Sequence, residues 1–188
     1  MIRKTLGKLV FETLNGWTYD INPDALSEPK QILIGFPHTS NWDAVRGLAL
    51  FNILDLNYHV MVKRELFRFP LGQLLTGLGC IPVDRAKSSN VVQQMVDIFA
   101  ASERFTLVMA PEATRGKDGE KRPIRTGFWH IAKAVNVPIV FMLSDSTNKK
   151  GLIFGKIMPG DSIENDLKEI QARYAEYGVH VELPEKYQ

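Results

Sequence analysis

Six short apolar runs, set between stretches of helical periodicity, constrain what this 188-residue chain can fold into. They are QILIGF (31–36), YHVMVK (58–63), CIPV (80–83), FTLVMA (105–110), PIVFML (138–143) and LIFGKI (152–157), rich in Ile and Val and short enough to be strands. In the gaps, apolar residues recur every three or four positions: Trp42, Val45, Leu48 and Ala49; Val91, Met95, Ile98 and Phe99; Phe128, Ile131, Ala132 and Val135. Each set predicts a helix with one face on a sheet. A last helix carries Ile163, Leu167, Ile170, Tyr174 and Tyr177, with Asp161 and Glu164 as its cap pattern and Gly178 as its stop. Strand and helix in alternation predict the α/β class. With no internal repeat and no Pro-, Gly- or Ser-rich linker, residues 1–188 read as a single domain. The expected architecture is a central mostly parallel or mixed sheet of about six or seven strands with helices on both faces.

Charge and cysteine usage narrow the partners. Twenty-three Lys and Arg against 21 Asp and Glu leave a formal charge of +2, so there is no general basic field and no nucleic-acid partner is expected. Any anion site must be local. The single cysteine, Cys80, makes no intrachain disulfide, and no Cys or His cluster has zinc-ligand spacing, which predicts a cytoplasmic setting and no metal or cofactor. No apolar stretch reaches the roughly 18 to 20 residues of a membrane-spanning helix. The opening MIRKTLGKLVFETLNGW lacks a signal-peptide core. Its Ile2, Leu6, Leu9, Val10, Leu14 and Trp17 recur instead along one face, predicting an amphipathic N-terminal helix over 1–17. Such a helix either docks on its own domain or lies on a membrane surface.

Three constellations sit just past strand ends, where open α/β sheets bind ligands. In FPHTSNWD, His38 follows the first apolar run and Asp43 stands five residues on, within reach of the imidazole if a helix starts near Ser40. A carboxylate that fixes the imidazole tautomer while the other ring nitrogen takes a hydroxyl proton is general-base chemistry. The same residues also read as a plain capping box, Ser40 with Asp43. In VMAPEATRG, Glu112, Thr114 and Arg115 emerge together, and in GCIPVDR, Arg85 does. Two arginines can clamp a phosphate, or can be solvated loop charge paired with Asp84 and Glu112. GxSxG, GxxxxGK[ST] and HExxH do not occur, which disfavours a serine nucleophile, a P-loop and a zinc hydrolase.

Taken in order, HTSNWD, GCIPVDR, APEATRG and VPIV (137–140) resemble the four motif blocks of the 1-acylglycerol-3-phosphate acyltransferase family, the glycerolipid acyltransferases. The blocks run from residue 38 to 140, and four in sequence make the resemblance specific. It implies a glycerol-3-phosphate acyltransferase-like fold. It also implies His38 as general base with Asp43 as its orienting partner, Arg85 at the acceptor phosphate, and Glu112, Thr114 and Arg115 in acceptor binding. Ala113 stands where the family usually has glycine, and Phe141 where a proline often follows.

The function so implied is transfer of a fatty acyl group from an acyl thioester, acyl-CoA or acyl carrier protein, to a hydroxyl of a lysophospholipid such as 1-acylglycerol-3-phosphate. The donor is a substrate, so no cofactor is implied. The N-terminal helix becomes the candidate contact with the cytoplasmic face of a membrane. Two alternatives use the same residues: a thioesterase in which the dyad activates water, and a non-catalytic lipid-binding protein of the same fold.

Overall fold

The computed structural model describes residues 2–36, 41–84, 88–112 and 123–188. They form one seven-stranded sheet in the order β1-β7-β6-β2-β5-β3-β4. The strands are β1 (Thr18–Ile21), β2 (Lys30–Phe36), β3 (Tyr58–Lys63), β4 (Cys80–Val83), β5 (Phe105–Met109), β6 (Ile139–Asp145) and β7 (Lys150–Ile157). Every pairing is parallel except the β6–β7 hairpin. The helices are α1 (Ile2–Lys8), α2 (Asn41–Ile53), α3 (Leu71–Gly77), α4 (Ser88–Ala101), α5 (Gly127–Val135) and α6 (Ile163–Ala175).

Central β2 explains why its run is apolar without a break. It is hydrogen-bonded on both edges and buried on both faces, as a parallel strand between two helical layers must be. Alternate side chains go to opposite layers. Leu33 packs with Phe51 of α2, while Ile32, Ile34 and Phe36 pack with Met95 of α4, Phe128 of α5 and Leu167 of α6. The crossovers β2-α2-β3 and β3-α3-β4 step one way across the sheet and β4-α4-β5 and β5-α5-β6 step back. Right-handed connection therefore puts α2 and α3 on one face and α4 and α5 on the other.

The structure departs from the sequence-based expectations at four places. The N-terminal helix is not continuous over 1–17: α1 gives way to a π-helical turn, Leu9–Leu14, and the chain leaves it through Gly16 at φ +64°. A π turn advances more than 3.6 residues per revolution, so the leucine stripe rotates away from the domain. Leu6, Leu9 and Leu14 are exposed, and Phe11, Trp17 and Gly7 make the contact with α2. Gly7 is required there, since a Cβ would lie 2.6 Å from the carbonyl oxygen of Ala49. In α2, Trp42 and Val45 are likewise exposed, and Ala49, Leu50, Phe51 and Ile53 are buried. The cap of α6 is Ser162, which accepts from the Asn165 N–H at 3.3 Å, while Asp161 pairs with Lys133 at 2.9 Å. Finally, β1 and α3 were not foreshadowed: β1 is a four-residue, mostly exposed edge strand, and α3 buries no residue at all.

One hydroxyl ties the two central strands to α6. Fully buried Tyr174 sits 2.9 Å from the Ile34 carbonyl and 3.0 Å from that of Met142, and it accepts from the Met142 N–H at 3.2 Å. The β6–β7 register shifts at this point, between Phe141 and Met142, and the phenol takes up backbone polar groups there. Burial pushes its pKa well above the ordinary tyrosine value.

Candidate active site

The strand order dictates where a ligand can bind. The chain leaves the C-terminal end of β2 for α2 on one face and that of neighbouring β5 toward α5 on the other. Connections that diverge from adjacent parallel strands open a crevice between their carboxyl ends. Phe36 of β2 and Met109 of β5 end at that crevice.

Asp43 lies beside it. The residue is in the first turn of α2, where the helix dipole favours a carboxylate, yet it is only 8% exposed. Arg46, one turn on, donates from Nη1 to Asp43 Oδ1 at 3.3 Å. The Arg46 guanidinium in turn lies 4.4 Å from the centre of the Trp17 ring. A chain of contacts thus runs from the end of the N-terminal segment to the buried carboxylate. Arg46 was not singled out in the sequence, although the D-x-x-R spacing on a helix was its signal.

Asp43 also lines an apolar cavity of about 260 Å³ between α2 and the sheet. Its walls come from Met142 and Ser144 of β6, Gly35 of β2, Val108 of β5, Val60 of β3 and Cys80 of β4, with Gly47 and Phe51 of α2 above and Leu78 at the α3 side. It therefore crosses five strands, about 19 Å at the usual spacing between neighbours. Asp43 and Ser144 are the polar residues of an otherwise largely apolar lining, the usual make-up of a small-molecule site. Burial raises the pKa of the Cys80 thiol, which keeps this wall neutral.

Of the other site residues expected from sequence, Glu112 is described: it is half-buried just beyond β5, next to buried Pro111, and its charge adds to the raised pKa of Tyr174. His38, Arg85, Thr114 and Arg115 lie outside the described residues, as does Ala113. The VPIV segment leads into β6 as buried core, with Val137, Ile139 and Val140 enclosed. Among the remaining histidines, His59 is half-buried and stacks at 4.3 Å on Phe105, a core residue. His180 pairs with Glu182 at 2.9 Å on the exposed surface, a carboxylate partner that the sequence spacing had not suggested. Among the described residues no group of three His, Cys, Asp or Glu side chains could hold a metal ion.

An open α/β sheet with a buried carboxylate and an apolar cavity beside the carboxyl ends of its central strands is the architecture of an α/β domain with its crevice at the switch point. The chain belongs to the acyltransferase family, whose model, Acyltransferase, matches residues 20–143. A 1-acyl-sn-glycerol-3-phosphate acyltransferase of Limnanthes douglasii is 34% identical over 91 residues, 47% of this chain and 32% of that protein. The protein of that name from Salmonella typhimurium is 29% identical over 134 residues, 65% of this chain and 53% of its own. The human 1-acyl-sn-glycerol-3-phosphate acyltransferase beta is 28% identical over 134 residues, 69% of this chain and 47% of its own. The chain thus spans about a third to a half of the curated relatives it matches. The crystal structure of the 1-acyl-sn-glycerophosphate (LPA) acyltransferase PlsC from Thermotoga maritima superposes with a TM-score of 0.60 at 16% identity, over 95% of this chain and 77% of that one, a likeness of fold.

Proposed function

We propose that this protein is an O-acyltransferase that moves a fatty acyl group from an acyl thioester to a hydroxyl of a lysophospholipid such as 1-acylglycerol-3-phosphate. The observation that carries the reading is the Asp43 carboxylate, buried in the first turn of α2 and lining the apolar cavity at the sheet's switch point. Family membership and the names of the relatives support the reaction class.

His38, five residues before Asp43, is the general base. Its imidazole takes the acceptor's proton as the hydroxyl oxygen attacks the thioester carbonyl. The tetrahedral intermediate collapses with cleavage of the C–S bond, and the imidazolium returns its proton to the leaving thiolate. The products are an ester and a free thiol. Asp43 keeps the far ring nitrogen protonated, and general-base catalysis of this kind contributes roughly 10² to 10⁴ in rate. Arg85 meets the acceptor phosphate, which its guanidinium fork suits, and Glu112, Thr114 and Arg115 contribute to acceptor binding, the roles implied by the motif blocks they match. The cavity takes the acyl chain. The donor is acyl-CoA or acyl carrier protein. The exposed leucine face of α1 and the π turn rests on the cytoplasmic leaflet, since the segment touches its own domain through Gly7 of α1 and Phe11 of the π turn instead.

The test is product analysis by mass spectrometry after incubation with an acyl thioester and lysophosphatidate. Acceptor-dependent diacyl product is the expected result. Free fatty acid formed equally with and without acceptor would make the protein a thioesterase, and lipid bound without thioester consumption would make it a lipid-binding protein.

A further inference from the structure

The segment between β3 and β4 is built unlike the rest of the molecule. Leu66, Phe69, Leu71, Leu74 and Leu78 are all exposed, Phe69 by 84%, and α3 buries none of its residues. A stretch this apolar and this exposed has not been left loose. Gly72 packs so closely on Phe67 that a Cβ would lie 2.9 Å from its backbone carbonyl, and Thr76 bonds back to the Gly72 carbonyl at 2.9 Å. Lys63, Arg64 and Arg68 are exposed around the apolar side chains, against the single carboxylate of Glu65.

We propose that residues 63–78 are a lipid-docking surface that sits on an anionic phospholipid leaflet and opens the apolar cavity to it. Two observations select the occupant. The local excess of cations over carboxylates in a chain of only +2 overall complements anionic headgroups, which attract each basic residue near the surface by about 1 kcal/mol. Secondly, Leu78 belongs to both the exposed face and the cavity wall, so the apolar surface is continuous with the cavity that Asp43 also lines. A bilayer supplies acyl chains at that opening. Right-handed crossovers place α3 on the same sheet face as α2, and α1 packs on α2, so this surface and the leucines of the N-terminal segment belong to one side of the molecule. The choice of a lipid occupant rests on the function proposed above, but docking is measured without turnover.

The experiment is flotation of the full chain with phosphatidylcholine vesicles with and without phosphatidylglycerol. Wild-type protein should partition onto the phosphatidylglycerol vesicles. A Phe69→Ser/Leu74→Ser variant, with circular dichroism unchanged, should lose at least about tenfold in partitioning, and Arg64→Gln/Arg68→Gln should lose the preference for phosphatidylglycerol. Leu9→Ser/Leu14→Ser reports separately on the N-terminal face. In a Trp42→Phe background, tryptophan placed by Phe69→Trp should be quenched by bilayers of brominated phosphatidylcholine and phosphatidylglycerol. The proposal is overturned if wild-type protein does not float, if both position-69 variants behave as though position 69 stays in water, or if Phe69→Ser/Leu74→Ser abolishes a solution dimer and leaves flotation intact, which would assign the face to a second copy of the chain. Acyl transfer to dispersed substrates would survive each of those outcomes.

Discussion

The indole of Trp17 lies against the guanidinium of Arg46, 4.4 Å from ring centre to Cζ. Because Arg46 also reaches Asp43 at 3.3 Å, the end of the N-terminal segment helps to orient the buried carboxylate. Flat stacking on the indole together with a hydrogen bond to Asp43 suits arginine's planar, weakly hydrated cation better than lysine's ammonium.

Arg46→Ala should therefore lower kcat by about tenfold with a smaller change in KM for either substrate, since a hydrogen bond to a charged group contributes about 1.5 kcal/mol and 1.4 kcal/mol is a factor of ten. Trp17→Leu should lower kcat in the same direction but less, and combining it with Arg46→Ala should add little. Steady-state kinetics on the two single variants and the double variant checks this, and independent, additive effects would separate Trp17 from Asp43.

Tyr174→Phe keeps the packing and removes the hydroxyl, leaving the half-buried Met142 N–H without that partner. Such a loss costs about 1 to 3 kcal/mol. Urea denaturation should show a lower midpoint with an unchanged slope.

Much of the architecture was legible because burial on both faces of a parallel sheet forces unbroken apolar runs, and all six runs became strands, β2 to β7. Edge strand β1 escaped because TYDI is short and mostly exposed, and α3 because LGQLLTG turns its leucines outward. Apolar periodicity assumes that leucines point inward. Where the chain keeps an apolar face for something other than its own core, as at Leu6, Leu9, Leu14 and Trp42, the same signal identifies the wrong side. For the candidate site, position past a strand end marked Asp43, which lines the cavity. The cavity was invisible, because its apolar walls are drawn from five strands and α2 and read, segment by segment, as ordinary core.

Gly7→Ala tests how the N-terminal segment is held. The added methyl would meet the Ala49 carbonyl, a backbone atom that cannot swing aside, so α1 must lift from α2. Overpacking of this kind costs about 1 to 3 kcal/mol, more than the roughly 1 kcal/mol gained in helix propensity at its upper end. Thermal denaturation should show a lower Tm, and a raised one would mean that α1 does not lie this close to α2.

His59 gives a pH dependence with a definite sign. Burial against Phe105 lowers its pKa below 6.5, with a backbone hydrogen bond at Asn57 opposing the shift. Between the folded and unfolded pKa values the unfolded chain binds the extra proton. The stability contributed by the neutral ring is thus complete above about pH 6.5 and is lost as the pH falls toward the folded value. Urea titrations between pH 7.5 and 5.5 should show stability declining in the wild type and declining less in His59→Phe, which retains the stacking.

Narrowing the far end of the cavity should select shorter acyl chains. Cys80→Phe fills cavity space at edge strand β4 and should lower kcat/KM for the longest thioesters by about tenfold or more while sparing short ones. Gly47→Ala is the control. Its Cβ would meet only side-chain atoms, 3.6 Å away in Phe51, and the chain-length profile should shift little.

The most direct measurement is acceptor-dependent release of free thiol from an acyl thioester by wild-type protein, His38→Ala and Asp43→Asn, each checked for an unchanged circular dichroism spectrum. The account predicts release that requires lysophospholipid in the wild type and falls by about 10² or more in both variants. Wild-type rates in His38→Ala would contradict it.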